Sequence, residues 1–256
     1  MNALDLAFSK ARPLLVTYLT AGDPSPEKCL PLFEALIAGG ADILEIGVPF
    51  SDPGADGPTI QKASERALAA GGNLNSAISL AAQLPFEHPK ILFGYLNPFL
   101  SYGYPALAQA CKDAGIHGVL CVDCPPEEEP EFREALQALD IHPILLAAPT
   151  TPASRIQTLG QAGGGFLYYV SMTGVTGGAV AAHGDLSERL RLVREHAGLP
   201  VAVGFGLRTG EDVRQLAPHV DAVVVGSALV RLVEAHAENA GPALEELCRE
   251  LAEGLS

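Results

Sequence analysis

A chain of 256 residues, 48% hydrophobic and 18% charged, is a globular protein with enough length for one full core, and α/β barrels commonly have this size. A net charge of −14 argues against a nucleic-acid partner, whose phosphates need a basic face, and leaves any bound phosphate dependent on local donors. No apolar run approaches membrane-spanning length, the N-terminus lacks the basic start and apolar centre of a secretory signal, and five cysteines without framework spacing read as reduced thiols. The expectation is a cytoplasmic protein.

In chain order, Leu4, Phe8 and Ala11 predict a short amphipathic helix ahead of a first strand over 14–20. Ser25 then reads as an N-cap with Pro26 behind it, for a helix reaching about residue 38. The next stretch, residues 43–60, opens as the short apolar run of a strand buried on both faces, interrupted by one carboxylate, Glu45. Alternation puts Glu45 on the side of Ile43 and Gly47, where a lone acid needs a partner or a job. The loop that follows ends in Asp56, Gly57 and Pro58, where a helix can begin, so a second carboxylate lies beside the mouth toward which the first points. Helices over about 60–70 and 74–84 make this crossover longer than average.

Strands are predicted over 91–95, 119–122, 143–148, 166–171, 200–203 and 222–225. Between them lie an aromatic-bearing loop (97–105) with a helix over 106–114, and a helix starting near the acidic run Glu127–Glu129. Thr151 and Pro152 give another cap-plus-proline start, and a glycine-rich loop (172–180) shows no helix signal until about Leu186. A helix capped by Thr209 and terminal helices after Gly226 and Ser227 finish the chain. Eight strand-then-helix units without a linker predict one domain over 1–256, a closed (β/α)8 TIM barrel with an extra N-terminal helix and an extra helix after the second strand. An open doubly wound sheet is the weaker alternative, and no GxGxxG follows the first strand.

In such barrels chemistry sits at the C-terminal mouth, with phosphate on the last loops. Gly204 and Gly206 after strand seven, Gly226 and Ser227 after strand eight, and Gly174, Gly177 and Gly178 after strand six predict a phosphate cup of backbone N–H groups. The five lysines (Lys10, Lys28, Lys62, Lys90, Lys112) read as lying in helices or before strands, away from a Schiff-base position. Only one histidine, His183, falls in a mouth loop, which is too few for a metal site, and Cys121 with Cys124 forms a CxxC without a second pair. What remains is carboxylate acid–base chemistry on a phosphorylated substrate. Burial should raise the pKa of Glu45 toward neutrality, whereas Asp56, more exposed, should stay ionised and accept a hydrogen bond from a substrate N–H.

The stretch LEIGVPFSDPGADGPTIQ (44–61) resembles the signature of the tryptophan synthase alpha chain family, and TYLTAGDP (17–24), YYVSMTGVTG (168–177), VGFG (203–206) and VGSA (225–228) resemble its other blocks in order. The resemblance implies a (β/α)8 barrel that cleaves indole-3-glycerol phosphate to indole and glyceraldehyde 3-phosphate. It implies Glu45 and Asp56 as catalytic, Tyr168, Thr176, Tyr18 and Tyr95 as substrate contacts, and Gly177, Gly206, Gly226 and Ser227 as phosphate contacts. It further implies a beta-chain partner in an α2β2 tetramer, with pyridoxal phosphate on that partner, and neither a cofactor nor a metal on this chain. Two departures stand out. Gly54 replaces the family's usual leucine in the loop before Asp56, and VDCP (122–125) stands where PDLP is common, with Asp123 kept. A stand-alone indole-releasing lyase and a non-catalytic phosphate-binding barrel acting as an activating subunit remain as alternatives.

Overall fold

Each strand here is a run of four to seven residues, and most are buried on both faces, as a parallel sheet wrapped in helices requires. The computed structural model describes residues 1–170, 183–204 and 206–255, with the side chains of 183–186 left aside. The chain enters through α1 (Ala3–Phe8) and continues as β1 (Leu14–Thr20), α2 (Leu30–Ala38), β2 (Ile43–Gly47), α3 (Pro58–Ala69), α4 (Leu74–Gln83) and β3 (Lys90–Gly94). Then come α5 (Leu96–Tyr102), α6 (Tyr104–Asp113), β4 (Gly118–Cys121), α7 (Pro130–Gln137), β5 (His142–Ala147), α8 (Ala153–Ala162) and β6 (Leu167–Val170). The last part is α9 (His183–Ala197), β7 (Val201–Gly204), α10 (Gly210–Leu216), β8 (Ala222–Val225), α11 (Ser227–His236) and α12 (Gly241–Glu253).

The strands follow one another in sequence order, all parallel, and β8 returns to β1 with Leu14 opposite Ala222, closing the barrel. Alternation splits the apolar residues into two cores. Val16, Ile43, Ile91, Leu120, Ile144 and Val224 fill the interior, while Leu15, Leu44, Leu92, Val119, Leu145 and Val223 pack outward with the helices.

The N-terminal helix closes the lower end. Asn2 caps α1 in a capping box with Asp5, its amide donates to His117 O (3.0 Å) and Asp140 O (2.9 Å), and Asp5 meets His142 Nε2 at 2.9 Å. These bonds fasten α1 to the starts of β4 and β5. Leu4 and Ala7 enter the interior core, and Phe8 lies 5.4 Å from the ring of Phe166. The barrel is thus plugged below, and its interior opens at the C-terminal mouth.

Several boundaries differ from expectation. The aromatic loop 97–105 is helical: α5 and α6 meet at Gly103, whose φ of +87° only glycine adopts easily. The signal that starts α5 is non-local, a side chain from the turn after β4. Ser25 heads a short 3₁₀ turn (Pro26–Lys28) without a side-chain cap bond, and α2 begins only at Leu30. Thr151 does not cap α8; its Oγ1 accepts from Ala148 N at 2.9 Å and closes the turn before Pro152. The helix after the acidic run starts at Pro130, because Glu129 sits at a φ of +46°. His183, read as a loop residue, is the first residue of α9. Thr209 caps α10 as read, in a capping box with Asp212.

Lys90 opens β3 and is wholly buried, with Nζ donating to the carbonyls of Ala81 (3.1 Å), Leu84 (3.4 Å) and Pro85 (3.0 Å) around the end of α4. It caps a helix on the lower side, far from the mouth.

Leu4 is fully buried in the plug, so Leu4→Ala leaves a cavity at the foot of the barrel. Urea unfolding should show a loss of roughly 2–4 kcal/mol. A loss below about 0.5 kcal/mol would mean that α1 merely rests on the barrel.

Candidate active site

Glu45 is the third residue of β2, between Leu44 and Ile46, which face the helices. Its side chain points into the barrel above Ile43 and is 1% exposed, and among the described residues its Oε1 has no hydrogen-bond partner. Burial pushes its pKa up to about 8, and the nearby charge of Asp56 adds to the rise. A carboxyl so placed exchanges protons near neutral pH.

Asp56 comes from the loop between β2 and α3. That loop is folded by Gly54 N donating to Asp52 O (2.8 Å) and Asp56 N to Pro53 O (3.0 Å), and is tied to α3 by Gln61 Nε2 donating to Asp56 O (2.9 Å). Gly57 then caps α3 with Pro58 in its first turn. The Asp56 carboxylate accepts from Tyr95 OH at 3.0 Å, and the same hydroxyl accepts from Ala55 N at 3.1 Å, while the ring of Phe50 stacks on Tyr95 at 5.0 Å. Asp56 is half-buried, more exposed than Glu45 as the sequence reading expects. Burial raises its pKa to about 6 against the lowering effect of the Tyr95 bond. It therefore remains mostly ionised at pH 7. Gly54 has φ outside the left-handed region, and a Cβ added there meets nothing within 4 Å, so the backbone does not demand glycine at this position.

The sequence-predicted tyrosines converge on the same space. Tyr18, the inward residue of β1 opposite Glu45, is 6% exposed, bonds Thr20 Oγ1 through its hydroxyl (3.1 Å) and meets Phe93 edge-on at 5.4 Å. Tyr168 on β6 points its hydroxyl toward Gly204, where a Cβ would lie 3.0 Å away. Burial and then the neighbouring acids raise both phenols: Asp56 is the larger charge effect at Tyr18, Glu45 at Tyr168. The hydroxyl of Tyr95 is engaged by the Asp56 loop.

Phe93, Val122 and Leu146, which sequence reasoning did not single out, are half-buried on the interior side at the upper ends of β3, β4 and β5. They share the parity of Ile91, Leu120 and Ile144, and that parity was the available signal. Together with Tyr18 and Tyr168 they give the mouth an apolar, aromatic wall.

After β8, Gly226 is the N-cap of the ten-residue α11 and Ser227 its first residue, so the helix start offers unpaired first-turn N–H groups. A Cβ on Gly226 would sit 3.3 Å from Tyr18 Cβ, which places this helix start against the aromatic wall. Gly206 has a φ of +67° and is a conformational glycine whatever else it does. Gly204 ends β7 beneath Tyr168, and its lack of a side chain makes room for that phenol. Gly174, Thr176, Gly177 and Gly178 lie outside the described residues. Cys121 and Cys124 are buried thiols with raised pKa values, and among the described residues no three His, Cys, Asp or Glu side chains group as a metal site.

A closed parallel barrel whose mouth holds a dry, proton-exchanging glutamate, an ionised aspartate, an aromatic wall and a helix N-terminus is of the class of (β/α)8 acid–base enzymes. The family profile described as tryptophan synthase alpha chain matches residues 4–255. The tryptophan synthase alpha chain of Laribacter hongkongensis is 46% identical over 254 residues, covering 96% of each chain, and that of Novosphingobium aromaticivorans is 45% identical over 98% of this chain and 96% of its own. The crystal structure of tryptophan synthase subunit alpha from Legionella pneumophila superposes with a TM-score of 0.92 at 36% identity, covering 99% of this chain and 98% of that one. A chain of tryptophan synthase from M. tuberculosis, in its aminoacrylate-bound form, gives 0.89 at 31% identity with full coverage of both. The chain belongs to the tryptophan synthase alpha chain family.

The state of Glu45 has a measurable consequence. Its pKa is about 8 in the fold against 4.5 ordinarily, so between these values the folded state holds a proton that the unfolded state releases. This contribution to stability is present at low pH and is lost as pH rises toward 8. Glu45→Gln lacks the penalty. The stability of Glu45→Gln relative to wild type should therefore grow between pH 5 and pH 8, by on the order of 3 kcal/mol. A pH-independent difference would show that Glu45 is ionised in the fold.

Proposed function

We propose that Glu45 and Asp56 carry out the family's reaction in this chain, the retro-aldol cleavage of indole-3-glycerol phosphate to indole and glyceraldehyde 3-phosphate. The observation that carries the reading is the Glu45 carboxyl, buried, short of a partner on one oxygen among the described residues, and poised near neutrality at the plugged barrel's one mouth.

Breaking the bond at indole C3 requires a proton delivered to that carbon and another removed from the adjacent side-chain hydroxyl. A single carboxyl between the two atoms serves both, and Glu45 needs its high pKa for the donating half. As C3 takes up the proton, positive charge develops on the ring nitrogen. The ionised Asp56, accepting a hydrogen bond from that N–H, stabilises the charge in a partly dry site. Tyr18, Tyr168, Phe93, Val122 and Leu146 offer a flat apolar berth for the indole ring. The start of α11 at Gly226 and Ser227 offers N–H donors to the phosphate, as an acidic chain requires, and Gly206 joins it by the resemblance. Thr176 and Gly177 belong to the same site by the resemblance alone.

In this reading the chain needs no cofactor of its own. It works beside a beta chain that holds pyridoxal phosphate and consumes indole, in an α2β2 assembly in the cytoplasm.

Indole release by variants tests the assignment. Glu45→Gln should lose at least about a thousandfold in kcat and Asp56→Asn at least about a hundredfold, with glycerol phosphate affinity within about tenfold of wild type. Wild-type turnover in Glu45→Gln would end the mechanism.

The phosphate assignment has its own test. Gly226→Ala puts a methyl between the helix start and Tyr18, and should weaken glycerol phosphate binding about tenfold while indole binding falls less. Equal losses would mean that Gly226 serves the packing of Tyr18 alone.

A further inference from the structure

Helix α5 has only seven residues, and its N-cap residue, Tyr95, makes no side-chain cap bond. So short a helix has little stability of its own. Its first N–H, from Leu96, is taken instead by Asp123 Oδ1 at 2.7 Å, from the turn after β4. The same oxygen accepts from Cys121 Sγ at 3.5 Å, which holds the Asp123 side chain to the end of its own strand. One residue before Leu96, Tyr95 makes the two hydrogen bonds that hold Ala55 and Asp56. Three successive loops, after β2, β3 and β4, are thereby joined in one chain of hydrogen bonds ending on Asp56.

We propose that Asp123 is a positioning residue for the reaction: by holding the first N–H of α5 it fixes Tyr95, and through Tyr95 the carboxylate of Asp56. The inference rests on the reading that Asp56 stabilises charge on the substrate ring. Asp123 itself touches neither substrate nor reacting atoms. Its carboxylate is solvent-exposed, and its contribution is directional, an acceptor at the one place that sets where Tyr95 begins.

The pH profile separates this role from a plain electrostatic one. The titratable groups around Asp56 are Glu45 on β2, Tyr18 on β1, Tyr95 beside β3 and Tyr168 on β6. Removing the negative charge of Asp123 would by itself make Asp56 easier to ionise and move the acid limb of kcat/KM to lower pH. Losing the Tyr95 hydrogen bond does the opposite. Asp123→Ala should therefore raise the acid limb, whereas Asp123→Asn, which keeps the acceptor oxygen, should leave it in place or lower it.

The experiment measures indole release and its pH profile for Asp123→Ala, Asp123→Asn, Tyr95→Phe, the Asp123→Ala/Tyr95→Phe double variant and Asp56→Asn. Asp123→Ala and Tyr95→Phe should each lower kcat/KM about tenfold, chiefly in kcat, with the double variant within about threefold of either and Asp123→Asn within about threefold of wild type. Should Asp123→Ala fail to fold, Asp123→Ser, too short to reach Leu96, replaces it in the same comparison. Multiplying losses in the double variant, an acid limb that falls in Asp123→Ala, or Asn as damaging as Ala would each overturn the inference. An inactive Asp56→Asn beside a fully active Asp123→Ala would overturn this inference alone, and an active Asp56→Asn would overturn the reading on which it rests.

Discussion

A carboxyl group enclosed in a dry barrel either finds a counter-charge or keeps its proton. At Glu45 none of the five lysines supplies the counter-charge: Lys90, the buried one, spends its three donors on the end of α4 at the lower side. Glu45 is left facing a space bounded by tyrosines and by a second acid. The rest of the mouth follows from that constraint. Asp56 cannot move deeper without a larger desolvation penalty on its charge, and a hydrogen bond from Tyr95 steadies its ionised form where it stands. The two acids are thus held in different protonation states at neutral pH, as a reaction with one proton-transfer group and one charge-stabilising group requires.

The barrel makes such an arrangement possible by dividing its tasks between ends. Below, α1 plugs the interior with Leu4 and Ala7 and is fastened by Asn2 and Asp5 to the starts of β4 and β5. The interior residues up to Ile43 and Val16 are buried there and pack as an ordinary core. Above, the same inward parity continues into Tyr18, Glu45, Phe93, Val122, Leu146 and Tyr168, where the strands deliver functional side chains instead of filler. Glycines at strand ends make the room: Gly47 lies against the ring of Tyr18, and Gly204 beneath the hydroxyl of Tyr168. Gly204, read in the sequence as part of a phosphate cup, thus also acts as a packing partner for an aromatic residue.

The loops above β2, β3 and β4 form a connected unit. Phe50 stacks on Tyr95, Tyr95 bonds Ala55 and Asp56, and the helix that Tyr95 heads is capped from Asp123. The links are one ring stack and single directional hydrogen bonds between segments far apart in sequence, which join the loops without a large buried area.

Much of this was legible from the residues alone. Eight apolar runs separated by helical periodicity point to a parallel sheet, with closure decided by the β8–β1 pairing, and period-two alternation places Glu45 on the side of Ile43. Local capping chemistry is equally readable where it is local: Thr209 and Asp212 cap α10 as their spacing demands. What the sequence could not show are events set by distant partners. The 97–105 segment reads as a loop because its helix start depends on Asp123, 27 residues from Leu96. Thr151 and Ser25 read as caps, yet the first is drawn into a turn with Ala148 and the second heads only a 3₁₀ turn. The pKa of Asp56 depends on how deeply its loop sits against Tyr95, and the occupied hydroxyl of Tyr95 on the same meeting. Sequence by itself determined which side chains face the mouth, since that follows from covalent geometry and period. Tertiary structure decided what each one does there, since burial, charge and hydrogen bonding are properties of neighbours that only folding brings together.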